Sequence, residues 1–148
     1  MIAYYADTSA LVTAYLHDEP GHGKLRELLL EGDEIVLSSD LTRIEFAGAL
    51  TAARRTGRIP DPAPVLAHFD HLASPRGVLA LIPFDAKSVI PAARRLVIGN
   101  YPLRTLDAIH IAVAMHDTAD LTGGAPVTFV TRDDRQAEAA KANGFEVL

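Results

Sequence analysis

The sequence contains no cysteine among its 148 residues. Disulfide bonds, thiolate metal sites and cysteine nucleophiles are therefore excluded. A chain without disulfides fits a reducing compartment, and we expect a cytoplasmic protein. With no thiolate available, oxygen ligation is the natural choice for any metal site.

Long apolar runs are also missing, although 49% of the residues are hydrophobic. Polar residues interrupt every apolar segment, which argues against a membrane span. Asp7 interrupts the first apolar run after six residues, so we expect no signal peptide. The apolar fraction excludes a disordered chain, and the length suits one domain over residues 1–148 with a core of ordinary size.

Basic residues are outnumbered, since 19 acids against 14 bases give a net charge of −5. Taken alone, this sign argues against a nucleic-acid partner, because binding of phosphate needs positive charge. Of the bases, 11 are arginine, the residue better suited to phosphate contacts, although a coding bias could produce the same skew. The positions of the charges therefore matter more than their sum.

Short apolar runs alternate with helical patterns along the chain. We predict strands at residues 2–6, 35–38, 79–84, 127–130 and 145–148. We predict helices at about residues 8–16, 24–31, 41–55, 61–72, 86–98, 106–116 and 133–142. Asp40, Asp85 and Thr105 are expected to cap three of these helices, and Pro91 to kink or shorten the one that contains it. The alternation predicts an α/β fold, a three-layer α/β/α sandwich around a central, mostly parallel sheet.

Four acidic residues fall where such a sheet would bind a ligand. Ligands bind beyond the carboxyl ends of parallel strands, and Asp7 and Asp133 directly or closely follow two predicted strands. Asp107 lies in the first turn of one helix and Glu45 in the second turn of another. Helix capping explains Asp7 and Asp133 equally well, and Asp107 could simply favour the positive end of its helix.

Glu45 is harder to explain by local structure alone. On helical spacing it shares a face with Leu41, Gly48, Ala49 and Ala52, where an acid is costly unless it is paired or metal-bound. Several carboxylates in one pocket would repel one another, and a hard divalent cation removes that repulsion. The acids therefore suggest a Mg²⁺ or Mn²⁺ site that handles phosphates.

Four segments resemble the sequence motifs of PIN domains. They are residues 5–11, residues 41–45, residues 103–112, and residues 129–135 followed by residues 144–148. The third is the most specific, and together they span nearly the whole chain in the family's order and spacing. The length and layout resemble the VapC-type toxins of prokaryotic toxin–antitoxin pairs.

The resemblance implies a PIN-like fold and a Mg²⁺-dependent endoribonuclease, the toxin of a type II system, which cleaves RNA phosphodiester bonds with metal-activated water. Matched residue by residue, Asp7, Glu45 and Asp107 fall on the family's acidic triad, and Asp133 falls on its more variable fourth acid. These four are the expected catalytic and metal-binding residues, with Mn²⁺ as the possible substitute for Mg²⁺. His110, one turn after Asp107, could orient the substrate, although we favour a structural role.

Other residues match the surroundings of the family's site. Ser9 and Thr131 fall on hydroxyl positions that support it, and Asp134 could substitute for its neighbour Asp133 as the fourth acid. Arg104 and Arg132 flank the acidic motifs and are the expected phosphate contacts. The resemblance also implies an RNA substrate, a homodimer and a cognate antitoxin that covers the site. Contact with DNA would be indirect, through the antitoxin, and we expect no membrane contact.

Three other classes deserve comparison with this interpretation. A catalytically inactive PIN-like binding module would have the same fold, but here all four acidic positions are filled. A metal-dependent phosphatase-like hydrolase would want a second acid two residues after the first, where this chain has Ser9. A signalling receiver domain would want paired acids after its first strand and a late lysine, and neither is convincingly placed.

Overall fold

A single parallel sheet organises the computed structural model, which describes residues 2–100 and 102–148. Its five strands lie in the order β3-β2-β1-β4-β5, and every neighbouring pair is parallel. The strands are β1 (Ala3–Ala6), β2 (Ile35–Ser39), β3 (Leu79–Ile82), β4 (Val127–Val130) and β5 (Glu146–Val147). The prediction of a domain over residues 1–148 includes Met1 and Tyr101, which lie outside the described residues.

Helices follow or precede each strand within the described residues. They are α1 (Thr8–Tyr15), α2 (His22–Leu29), α3 (Thr42–Arg55), α4 (Ala63–Leu72), α5 (Ala86–Gly99), α6 (Thr105–His116), α7 (Ala119–Thr122) and α8 (Asp134–Ala142). No helix in residues 2–100 or 102–148 is long and apolar enough to cross a membrane.

The central strands are buried on both faces, which explains their continuous apolar sequence. Tyr5 on β1 belongs to the core on the side of α5, α6 and α8. Its neighbour Tyr4 belongs to the core on the side of α1, α3 and α4. Successive strand residues point to opposite faces, so one short strand supplies both cores. The predicted α/β/α sandwich is confirmed, and its sheet is wholly parallel over the described residues.

Two predicted helix caps are wrong. Asp40 lies one residue before the Leu41 cap position of α3, and its carboxylate pairs with Arg43 at 3.0 Å instead of capping. Thr105 is the first residue of α6, after Arg104 at the cap position. Both helices begin without a side-chain cap.

Pro91 does not shorten its helix. α5 continues from Ala86 to Gly99 with the proline inside. The exposed proline forgoes one hydrogen bond, while Val89, Ala92 and Leu96 keep the apolar face of α5 in the core. The short helix α7 was not predicted, since four residues carry too little periodicity.

The order in which strands are added to the sheet changes side between β1 and β4. From β1 the chain adds β2 and β3 on one side and then crosses to add β4 and β5 on the other. Ala6 pairs with Val130, so Asp7 and Thr131 leave the sheet at the same level. Such a switch point opens a crevice at the carboxyl edge of a parallel sheet.

Candidate active site

Asp7 leaves the carboxyl end of β1 and caps α1. Its Oδ1 accepts hydrogen bonds from the Ala10 N–H at 3.0 Å and from the Ser9 hydroxyl at 2.7 Å. The residue is only 4% exposed. Burial raises the pKa of Asp7, and the nearby His110 together with the hydrogen bonds from Ala10 and Ser9 offsets this effect only in part. Asp7 thus caps α1 as one explanation predicted. A more exposed aspartate could make the same cap without the free-energy cost of burying its charge.

Glu45 projects from α3 towards α1 and α6. Its Oε1 accepts hydrogen bonds from the Thr8 hydroxyl at 3.0 Å and from His110 Nε2 at 2.7 Å. Burial alone raises the pKa of Glu45, but the hydrogen bonds from His110 and Thr8 outweigh it and lower the pKa below its usual value. The acid on a small, apolar helix face is therefore paired, by residues far away in sequence.

His110 lies beneath the site and is 2% exposed. Its Nδ1 lies 2.8 Å from the hydroxyl of Tyr5, a fully buried residue of β1. Both ring nitrogens thus have protein partners, and the ring does not reach solvent where a substrate would bind. The favoured structural role of His110 agrees with this arrangement.

Asp107 and Asp133 are joined by an arginine. Arg104 Nε lies 3.2 Å from Asp107 Oδ2, and its Nη2 lies 2.9 Å from Asp133 Oδ2. The other oxygen of Asp133 caps α8 by accepting from the N–H groups of Arg135 and Gln136. Burial raises the pKa of Asp133, but the Gln136 N–H and the Arg104 charge together lower it. Arg104, predicted as a phosphate contact, lies between two of the predicted acids.

A chain of hydrogen bonds links β1 to β4 across the crevice. The Ser9 hydroxyl lies 3.4 Å from that of Thr131 and accepts from the Arg132 N–H at 2.9 Å. Thr131 in turn donates to the side chain of Gln136 at 2.7 Å and accepts from the Asp133 N–H at 3.1 Å. Ser9 and Thr131 therefore hold the backbone from which the acids project.

Gln136 is a site residue that the sequence analysis missed. It is fully buried, and its side-chain N–H₂ donates to the Asp107 carbonyl at 3.3 Å, which ties α8 to α6. The spacing of Asp133 and Gln136 is that of a capping box, a signal that could have pointed to it. Tyr5 and Thr8 were missed as well, because their contacts with His110 and Glu45 join distant segments.

The side chains of two predicted residues stand apart from this network. Asp134 is an exposed residue in the first turn of α8, and its side chain makes no hydrogen bond within the described part of the chain. Arg132 is exposed, and its guanidinium lies beside Gly21, in the turn between α1 and α2. Of the two neighbouring acids, Asp133 is the one that reaches Arg104 and hence Asp107.

The acids suit a hard cation in chemistry, although they do not converge as a closed metal site. Across residues 2–100 and 102–148, no three acidic or histidine side chains form a group that could hold a metal ion. Both donors to Glu45 meet Oε1, and Arg104 meets only Oδ2 of Asp107. Among the described residues, Glu45 Oε2 and Asp107 Oδ1 accept no hydrogen bond, and carboxylate oxygens are ligands that Mg²⁺ and Mn²⁺ prefer.

A family model described as "PIN domain" matches residues 4–142. The chain belongs to the PIN-domain family. Ribonuclease VapC46 of Mycobacterium tuberculosis is 36% identical over 152 aligned residues, which cover all of this chain and 98% of the relative. Ribonuclease VapC35 of the same species is 34% identical over 97% of this chain and 94% of the relative. The resemblance to VapC-type ribonucleases is confirmed.

Solved structures agree with the fold. Mycobacterium tuberculosis VapC20, described as a sarcin–ricin loop cleaving toxin, superposes with a TM-score of 0.63 at 21% identity, over 96% of this chain and 95% of that one. The protein PAE2754 from Pyrobaculum aerophilum superposes with a TM-score of 0.56 at 25% identity, over 99% of this chain and 83% of that one. At 21% identity, VapC20 supports the fold and not a shared target.

Proposed function

We propose that this protein is a Mg²⁺-dependent endoribonuclease and the toxin of a type II toxin–antitoxin pair. The observation that carries the proposal is the position of four acids: Asp7 and Asp133 follow β1 and β4 and cap α1 and α8, and Glu45 and Asp107 lie in the first turns of α3 and α6. Similarity to VapC ribonucleases along the whole chain supports the same activity.

Three of the acids share one task in this proposal. Asp7, Glu45 and Asp107 would hold the ion directly or through water, and Asp133 would complete the site or hold a second ion. A bound Mg²⁺ or Mn²⁺ would supply a Lewis acid that polarises the scissile phosphate and lowers the pKa of water. The hydrogen bonds to Asp7 and Glu45 keep these carboxylates in place before the ion arrives.

RNA is the proposed substrate, and the arginines at this edge are its proposed contacts. Arg132 is exposed and its guanidinium is free to meet a phosphate. Arg104 is 64% exposed, whereas the side chains of its partners Asp107 and Asp133 are only 15% and 18% exposed. A phosphate could therefore reach the guanidinium from the solvent side, while a divalent ion would neutralise the two carboxylates.

The proposal also includes partners. We expect a homodimer and a cognate antitoxin that covers the acidic edge, with DNA bound only through the antitoxin. This expectation comes from the family alone. Co-expression with a small DNA-binding protein encoded beside this chain, followed by size-exclusion chromatography, tests it.

Substitution of Asp107 by Asn tests the nuclease directly. We expect Asp107→Asn to fold as the parent does and to lose RNA cleavage by about a hundredfold or more in Mg²⁺, because a carboxylate ligand is lost. Cleavage is measured on a labelled RNA, with the cleaved ends mapped. Asp70→Asn is the matched control, since Asp70 is exposed on α4. Equal cleavage by the parent and by folded Asp107→Asn would show that the proposed mechanism is wrong.

One observation favours a second candidate, a PIN domain that binds without cutting. Arg104 lies between Asp107 and Asp133, as an internal counter-charge would. Thermal unfolding with and without Mg²⁺ or Mn²⁺ separates the two candidates. A divalent-dependent rise in Tm that is lost in Asp7→Asn supports the nuclease, and no rise in the parent supports the binding module.

A further inference from the structure

We propose that Tyr5 and His110 are positioning residues, which hold Glu45 in place through a buried hydrogen-bond relay that fixes His110 as the tautomer protonated at Nε2. The relay runs from the centre of the sheet to the acidic edge. The role of the relay in catalysis rests on the proposed nuclease function. The direction of its hydrogen bonds can be tested without assuming that function.

Each step of the relay is a short hydrogen bond. The Tyr5 hydroxyl lies 2.8 Å from His110 Nδ1, and His110 Nε2 lies 2.7 Å from Glu45 Oε1. The Tyr5 and His110 rings meet edge to face, with centroids 5.9 Å apart and an angle of 69°. Tyr5 is 0% and His110 2% exposed, so water does not compete for these bonds.

The direction of the hydrogen bonds follows from what each group can donate. An ionised carboxylate only accepts, so Nε2 must carry the proton that it donates to Glu45. A neutral imidazole has one donor, which leaves Nδ1 as an acceptor, and the phenol of Tyr5 supplies the O–H that Nδ1 needs. Every polar atom of the relay is then satisfied with one arrangement of protons.

This arrangement holds the Glu45 carboxylate against rotation. Thr8 and His110 both donate to Oε1, from α1 and α6 respectively. The other oxygen, Oε2, then keeps a fixed direction relative to α1 and α6. Partners of a ligand residue orient it in the same way in many metal sites, and their loss costs about 10–100-fold in metal affinity or activity.

A second Tyr–His pair in the same molecule provides a control. Tyr15 and His68 have the same 2.8 Å contact from hydroxyl to Nδ1 and a similar edge-to-face angle of 76°. This pair lies at the surface between α1 and α4, and no carboxylate accepts from His68 within the described residues. Tyr15→Phe therefore removes the same hydroxyl without touching the site.

Imidazole NMR of the parent protein tests the direction of the hydrogen bonds in the relay, because it identifies the tautomer of His110. Long-range ¹H–¹⁵N correlation at neutral pH distinguishes the two tautomers and the charged ring, and the signals of His110 are those missing from His110→Gln. We expect the tautomer protonated at Nε2. A ring protonated at Nδ1, alone or together with Nε2, would overturn the relay.

Calorimetric titration with Mg²⁺ alone tests the positioning role. We expect folded His110→Leu to bind Mg²⁺ about tenfold or more weakly, Tyr5→Phe to bind it less weakly than that, and Tyr15→Phe to match the parent. His110→Gln, whose amide can still donate to Glu45, should recover most of the affinity. Parent-like affinity in folded His110→Leu would overturn the positioning role. A parent that neither binds Mg²⁺ nor cleaves RNA would instead overturn the proposed function, and the tautomer result would stand by itself.

Discussion

Asp7 stabilises the fold in one way and destabilises it in another. Its carboxylate caps α1, which stabilises the helix, but it is buried as a charge. Because burial raises its pKa above that of the unfolded chain, the folded protein prefers the protonated acid. Its contribution to stability is therefore present at acidic pH and is lost as pH rises through the raised pKa.

Replacement of Asp7 by Asn should remove this cost and keep the cap. We expect Asp7→Asn to raise Tm by a few degrees at neutral pH in a chelating buffer, since about 1 kcal/mol shifts the Tm of such a domain by roughly 2–4 °C. The gain should shrink as pH falls, while RNA cleavage is lost. Thermal unfolding across this pH range provides the measurement.

Asp85→Asn is the control for this experiment. Asp85 also caps a helix, α5, but it is exposed, so its replacement should change Tm little at any pH. A lower Tm for Asp7→Asn than for the parent at neutral pH would mean that the ionised carboxylate stabilises the fold.

At the scale of helices and strands, local sequence determined most of the outcome. Strand β4 lies where its apolar run predicts it, and α8 begins at the predicted Asp133 cap. The errors concern two caps, at Asp40 and Thr105, and the shortening expected at Pro91. Asp40 pairs with Arg43 in the first turn of the same helix. Around Pro91, core packing keeps α5 continuous, and local preference does not include such tertiary contacts.

Pro91 makes a quantitative prediction about α5. Pro91→Ala should restore the missing hydrogen bond to the Lys87 carbonyl and raise the unfolding free energy by about 1–2 kcal/mol, or roughly 2–8 °C in Tm. Pro64→Ala is the matched control, because Pro64 lies in the first turn of α4, where its N–H would have no helical partner. Thermal and urea unfolding of both variants provide the measurement. An equal or lower Tm for Pro91→Ala would show that the helix has adapted fully to the proline.

At the scale of the whole molecule, the sheet order explains what sequence patterns could and could not predict about the site. The acids were found because they follow strands or begin helices. Their partners were not, since Tyr5 and His110 are 105 residues apart and meet only once β1 and α6 are packed. Gln136 likewise contacts Asp107 across 29 residues. Buried partners of this kind depend on tertiary structure, which a single sequence does not display.

The negative charge of the molecule is concentrated at the proposed cation site. Four of the 19 acids lie at the proposed cation site, so the rest of the molecule is nearly neutral. The net charge of −5 therefore does not exclude RNA. It does predict modest affinity overall, with attraction concentrated at the edge that carries Arg104 and Arg132.

This distribution predicts a local dependence of RNA binding on salt. In the Asp107→Asn background, which prevents cleavage, affinity for single-stranded RNA in Mg²⁺ should fall as salt rises. Arg132→Gln should reduce the slope of log affinity against log salt by about 0.7–1, the effect of one phosphate contact. Arg76→Gln should leave the slope unchanged, because Arg76 is exposed in the loop that enters β3, at the opposite edge of the sheet. Fluorescence anisotropy across a salt series measures all three slopes, and equal slopes for the two arginine variants would place the RNA path elsewhere on the molecule.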